Sequence, residues 1–394
     1  KIMIDYKWVR PDMDLYHIGG NNEYLITVAN SGNLETDFYV YSQSFYEAAE
    51  NVIHYLGEEA AEKQDIAKLD FAMVYLYRQS LELLLKAGIF QTITDNVDRK
   101  NIVGNIRHDL KQAYEKLIEV KGLSISDNEN GKWLMDYLSD ISRIDRESDM
   151  FRYPFGNNLK VLFDRQTNIS LVATHDNMNK AFSIIKGIYD TGDILEQEIE
   201  AYEPHLIIEG GHYYQQSVVG YKYSQHAFYP YYSSYEEVGN FLKGVIMAEK
   251  KANLFMPMCY LYRNAVELGL KRLIIEDSHI GNSKALKIVR KKKHSILGLW
   301  NSIADEIKEY ANAPEDDTTL NDSQRYIQTF HNFDQSSDLF RYPCNKNMEP
   351  YFLDEKKFDI ENVASCFEEL CNFLEGVDGM LSAVQDYEAE MAAE

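Results

Sequence analysis

The chain repeats itself, and that repetition constrains its fold more than any other feature. Residues 75–86 read YLYRQSLELLLK and residues 260–271 read YLYRNAVELGLK, identical at eight of twelve positions. Residues 145–154 (DRESDMFRYP) and 334–343 (DQSSDLFRYP) match at seven of ten. Between these blocks His108, in RHDLKQAYEKL, falls opposite His294, in KHSILGLWNSI. Upstream, FYVYSQSFYEAA at 38–49 resembles FYPYYSSYEEVG at 228–239. The offset drifts from 185 residues (Tyr75 to Tyr260) to 189 (Asp145 to Asp334), as loop insertions would make it. A period this long means two tandem domains, not a solenoid. The division falls at 1–203, a first domain with an N-terminal extended segment, and 204–394, a second domain with a connector strand segment.

Composition narrows the class. At 394 residues the chain has room for two to three domains of about 150 residues each. There are 63 acidic and 40 basic residues, a net charge of −23, which excludes a protein that coats nucleic acid over its whole surface. Apolar runs such as Leu83-Leu84-Leu85 are broken by charge well short of the roughly 18 residues of a membrane span. The N-terminal residues lack the apolar run of a signal peptide. Cys259, Cys344, Cys366 and Cys371 form no CxxC pair and have no His at finger spacing, so neither a metal nor a cofactor is expected. These features read as a soluble cytoplasmic protein with reduced thiols and no membrane contact.

Each copy reads mainly as helix. Helices are expected at 43–56, from Glu58 to about Phe90, from near His108, at 130–147 and at 176–201, with the last repeated at 360–386. Pro154 disfavours helix at Tyr153, so Phe-Arg-Tyr-Pro is a helix stop. Residues 159–173 read as a small β-hairpin, and Leu206–Ile208 and Ser217–Val219 as short strands in an ordered connector. Polar stretches near 95–106 and 310–322 read as mobile loops. The Tyr-rich stretch from Tyr202 to Tyr235 reads as an interface between domains or subunits, with base stacking as the rival.

Tyr75, Arg78, Glu82 and Lys86 are spaced three, four and four, as are Tyr260, Arg263, Glu267 and Lys271, which places each set on one helix face. One reading is a buried ion-pair network, Arg78 with Glu82 and a bridge to Asp145 or Asp149, costly to break. The other is a site in which Arg78 or Arg263 holds a phosphate and His108 or His294 is the acid/base. The FRYP blocks carry the same choice. Their Phe and Tyr pack while Arg152 or Arg341 meets a carboxylate, or these arginines join Asp145, Ser148, Asp334 and Ser337 in binding.

The order YLYRxxxELxLK, then His, then DxxSDxFRYP is similar to the HEPN-like helical domains of prokaryotes, over about 38–200 and again over 228–385. That resemblance implies a mainly α fold: two tandem up-and-down helical bundles, pseudo-two-fold related, each with a small β-hairpin. Many members are metal-independent endoribonucleases of toxin–antitoxin, CRISPR and phage-defence systems, whose paired domains form a composite cleft; others are binding or scaffolding modules. The catalytic signature of the family is Arg, four to six residues, then His. Arg325 to His331 fits its spacing with Tyr326 after the Arg, while the first copy has Asp136 and Ser142 there. A six-residue step leaves two helical side chains about 120° apart, so Arg325 and His331 converge only at a helix irregularity or across a dimer. In the sub-family that the chain most resembles, Arg78 is often followed by His; here Gln79 and Asn264 stand instead.

If there is catalysis, it is RNA transesterification: a His moves the 2′-hydroxyl proton and an Arg stabilises the phosphorane. The candidate sets are Arg78/His108 with Arg263/His294, and Arg325/His331. Between Ser278 and Ala304 stand Lys284, Lys287, Arg290, Lys291, Lys292 and Lys293 with no acidic residue, a run that leads directly into His294. It reads as a solvated helix face or as a patch for RNA or nucleotide phosphate. Two functions therefore stand: a tandem HEPN-like ribonuclease of a prokaryotic defence or toxin-type system, or a non-catalytic scaffold or sensor binding a protein partner, a nucleotide or a second copy. An open cleft uniting Arg78, His108, Arg152 and their repeats favours the first; burial and mutual pairing of those residues favours the second.

Overall fold

The computed structural model describes residues 7–20, 22–57, 63–156, 161–163, 165–211, 216–220 and 227–393. Among the described residues twelve α-helices fall into two sets of six in the same order. The first copy holds α1 (Leu34–Gly57), α2 (Lys63–Thr92), α3 (Asn96–Ile106), α4 (Leu110–Lys121), α5 (Glu129–Ile144) and α6 (Leu171–Thr191). The second holds α7 (Tyr229–Glu249), α8 (Phe255–Arg272), α9 (Asn282–Lys292), α10 (Ile296–Ala311), α11 (Thr319–Phe333) and α12 (Ile360–Ala393). No helix among the described residues is long and apolar enough to cross a membrane.

The central helix of each copy, α2 or α8, carries the YLYR block and is buried nearly all round. Tyr75 stacks on Tyr260 across the two copies at 5.0 Å, and Phe71 stacks on Tyr231 at 4.1 Å. One continuous apolar core runs from Val9 to Leu381, so the copies share an interior. Of the Tyr-rich stretch, Tyr231 and Tyr235 are buried in this interface and donate to the carbonyls of Met150 and Phe151. Tyr202 and Tyr229 are exposed.

Two small two-stranded antiparallel sheets accompany the helices, and their pairing is not local. β1 (Leu25–Val28), ahead of the first copy, pairs with β4 (Lys356–Asp359) of the second; Leu25 lies opposite Asp359. β2 (Thr167–Ser170) of the first copy pairs with β3 (Gln216–Val219) from the connector; Thr167 lies opposite Val219. Each copy's leading strand thus completes the other copy's sheet. β3 is followed at once by Gly220, at φ +71°, where a Cβ would stand 2.1 Å from the Arg165 carbonyl oxygen, so the close approach needs glycine. Residues 159–173, expected as a hairpin, contribute β2 and a bridge from Val161 to Phe155; 159, 160 and 164 lie outside the described residues.

Two local expectations are corrected. Residues 96–106 are a helix, not a mobile loop: Asp95 accepts from the Val97 and Asp98 N–H groups, and Arg99 donates to the Phe90 and Ile93 carbonyls. The polar residues there satisfy helix ends rather than water. α6 stops at Thr191 rather than near 201, closed by Gly192 in the left-handed conformation. In the second polar stretch, 312–318 is a loop and α11 starts at Thr319.

Candidate functional site

Four side chains of the second copy, from three segments, gather about Glu267. On α8, the Arg263 guanidinium lies 2.6 Å and the Lys271 ammonium 2.7 Å from the Glu267 carboxylate, one turn on either side. Arg263 also donates to the His294 carbonyl at 2.5 Å, and its Nε lies 3.4 Å from Asp334 Oδ2. Asp334 caps the C-terminus of α11 and accepts from the Asp338 and Leu339 N–H groups. His294 stands just before Ser295, the N-cap of α10, and its Nδ1 lies 3.0 Å from Glu267. One guanidinium and one carboxylate thus tie α8 to the start of α10 and the end of α11.

The fifth member comes from the other copy. Tyr153, in the first FRYP block, donates its hydroxyl to Glu267 at 2.9 Å and lies 3.2 Å from both His294 Nδ1 and Asn264 Oδ1. Lys271 Nζ sits 4.3 Å from the centre of the Tyr153 ring. Pro154 and the turn before it aim this tyrosine across the interface.

The first copy repeats the arrangement. Arg78 meets Glu82 at 3.2 Å, the His108 carbonyl at 2.8 Å and Asp145 Oδ2 at 3.1 Å, while Lys86 meets Glu82 at 2.6 Å. His108 Nδ1 lies 3.2 Å from Glu82, and Tyr342 of the second FRYP block donates to Glu82 at 2.7 Å. Asp145 accepts from Asp149 and Met150 N–H, as its counterpart does. The contact from copy one to copy two is returned from two to one, the hallmark of an isologous interface.

The electrostatics follow from burial and pairing. Burial alone would raise Glu82 and Glu267, but Lys86, His108 and Arg78, and likewise Lys271, His294 and Arg263, hold both well below the usual carboxylate range. Burial keeps the Tyr153 and Tyr342 hydroxyls protonated as donors. Glu267 pulls His294 up, yet burial together with Lys271 and Arg152 leaves it below its ordinary value. With Nδ1 on the buried carboxylate and about a third of each side chain exposed, His108 and His294 turn the rest of the ring toward solvent.

Arg152 and Arg341 lie between the two centres, both buried, beside Tyr75 and Tyr260. Arg152 donates to Tyr153; Arg341 donates to the Ser337 carbonyl and Asp338. Gln79 donates to the Arg341 carbonyl. Ser148 and Ser337 hold the left-handed turn ahead of each FRYP block, at φ 62° and 65°, and their buried hydroxyls have no protein partner.

Comparison with known proteins finds no matching family model, no matching curated protein and no matching solved structure.

The first candidate set is therefore brought together, but closed. Arg78 and Arg263 are each 1 % exposed, with their donors already directed at protein oxygens, so neither reaches a phosphate in this arrangement. The second set is not brought together. α11 runs unbroken from Thr319 to Phe333, without the irregularity that convergence needs. Arg325 pairs with Asp322 and the Arg10 carbonyl, while His331 lies by Arg263 with a buried, unpartnered Nδ1. Of the basic run, Lys291 and Lys293 are exposed and Lys292 half-buried, and none of Lys284, Lys287, Arg290, Lys291, Lys292 or Lys293 has an ion-pair partner among the described residues. No group of three or more His, Cys, Asp or Glu could hold a metal ion among the described residues. Sequence reasoning missed Tyr153 and Tyr342 as site members; the signal was present, since Tyr is retained in both FRYP blocks.

Proposed function

We propose that the chain is a non-catalytic, tandem HEPN-like scaffold of a prokaryotic defence or toxin-type system, and that α9 is its docking face for RNA. The observation that carries this reading is the reciprocal closure of both centres. Tyr153 occupies the Glu267–His294 pair and Tyr342 the Glu82–His108 pair, where a composite ribonuclease cleft would need open space and a free arginine. The docking face is supported by six cations without an ion-pair partner among the described residues, on a chain of net charge −23. Such a run attracts phosphates while the rest of the surface repels them.

The test has two arms. RNA incubated in EDTA with the wild type should stay intact, and His108→Ala, His294→Ala and His331→Ala should change nothing. RNA binding should weaken tenfold or more in Lys291→Glu/Lys292→Glu/Lys293→Glu and fall with added salt. Cleavage abolished by one His substitution in a folded variant would overturn the scaffold. That result would establish the second reading, a metal-independent ribonuclease, which the part-exposed His108 and His294 favour.

A further inference from the structure

The closing helices of the two copies differ in length. α6 has 21 residues and is closed by Gly192, whereas α12 has 34. The extra turns of α12 run beside α9: Ser382, Gln385 and Asp386 line one cavity with Asn282 and Leu286. Gln385 still donates to the Asp277 carbonyl at 2.6 Å, a contact that does not titrate. From Asp386 to Ala393 every residue is exposed, so burial does not hold this stretch. Its one side-chain hydrogen bond to the rest of the protein, among the described residues, runs from Glu388 to His279, in the turn between α8 and α9.

His279 is engaged on both ring nitrogens. Nδ1 lies 2.9 Å from Glu306 Oε1 on α10, and Nε2 lies 3.0 Å from Glu388 Oε2 on α12. The His279 backbone N–H also donates to Glu306, at 2.7 Å. Tyr310, one turn on from Glu306, stacks on the ring at 4.8 Å. An imidazolium carries two N–H donors and a neutral ring only one, so both contacts are hydrogen bonds only while the ring is charged. The bond to Glu306 raises His279 above its ordinary value; burial opposes the rise and Glu388 adds to it. Partial burial, then Glu388, Glu309 and Glu306, raise the Tyr310 hydroxyl, so Tyr310 stays a neutral phenol. Loss of the proton breaks the two contacts unequally. Glu306 keeps the backbone N–H and the Nδ1–H, while the Nε2 lone pair is left facing the Glu388 carboxylate.

We propose that His279 is a pH-operated latch, which as imidazolium holds the end of α12 beside α9 and as neutral imidazole releases the turns from Asp386 onward. The sign follows from the raised value. The latch is fully engaged below the ordinary histidine value of about 6.5 and is given up as pH rises through the higher value of the latched ring. Copy one has no counterpart among the described residues, since α6 stops at Thr191. The latch stands whether or not α9 docks RNA.

Two readouts on the full chain test it: an NMR titration of the His279 ring, assigned by its absence from His279→Gln, and hydrogen exchange over 386–393, corrected for the intrinsic effect of pH. The His279 midpoint should lie above about 6.5, and 386–393 should exchange about threefold or more faster above it than below. Glu388→Gln should lower the midpoint and abolish the exchange step, and His279→Gln should abolish the step. Linkage joins the two readouts, since each pH unit lost from the midpoint in Glu388→Gln answers to about a tenfold step. A midpoint at or below about 6.5, no step in the wild type, or a step that persists in Glu388→Gln would overturn the latch. So would an equal step in α8, which would mean general loosening.

Discussion

The two copies agree inside and disagree outside. Around Glu82 and Glu267 the same five side-chain types occupy the same places, down to which atom of each His faces the carboxylate. On the surface, α3 has Asp98 beside Lys100, whereas α9 and the residues after it hold six cations and no acid. The ends of α2 and α8 have parted as far, neutral in one and acidic in the other. The physical reason is coupling. Glu82, Lys86 and His108, and likewise Glu267, Lys271 and His294, meet partners from both copies, and each arginine serves two carboxylates, so a single change strands a buried charge. A surface residue has no such partner, and its replacement is felt only by whatever docks there.

The sharpest way to break the equivalence is to delete one arginine at a time. Arg78→Met and Arg263→Met each strand two carboxylates and should each cost about 3–5 kcal/mol in urea unfolding. A cost below about 1 kcal/mol at one of them would show that the two centres are not equivalent.

Next come the exchanged tyrosines. Tyr153→Phe and Tyr342→Phe each remove one hydroxyl donated to a buried carboxylate, at about 1.5–3 kcal/mol. In double-mutant cycles Tyr153 should couple to Glu267 and not to Glu82, and Tyr342 to Glu82 and not to Glu267. The reverse pattern would mean that the FRYP blocks serve their own copy.

The pH dependence sharpens the comparison further. Glu82 and Glu267 have folded pKa values held well below the unfolded value of about 4.3, so their contribution is present above that pH and lost as pH falls through the folded value. His294 has a folded value below the ordinary one of about 6.5, so the unfolded chain takes up its proton first and stability declines as pH drops from there. An NMR titration should find the His294 midpoint below about 6.5; a midpoint above it would contradict the balance in which Lys271, Arg152 and burial outweigh Glu267.

The smallest effect is expected in the two left-handed turns. Ser148→Gly and Ser337→Gly relieve a strained φ and delete a hydroxyl without a protein partner, so each should be neutral to stabilising by up to about 1 kcal/mol. A loss of stability in both would reveal a bond that the hydroxyls make to buried water.

Much of the centre was legible before folding was considered. The three-four-four spacing puts Arg78, Glu82 and Lys86 on one face, and a bridge to Asp145 or Asp149 follows from a buried arginine needing a second carboxylate; the fold chose Asp145. Tyr153 was not assigned because its partner is 114 residues away in the other copy, and no local rule ranks that distance. The helix at 96–106 was hidden for the opposite reason: its support is Asp95 and Arg99 binding backbone, which composition reads as polarity.

The amino-acid sequence alone determined the duplication, the helical content and the charged stripe, because repetition and periodicity are properties of the chain. Only the tertiary structure decided that each copy completes the other, exchanging a strand and a tyrosine. It alone closed both centres and left the α9 cations facing outward, because those outcomes depend on how distant segments pack.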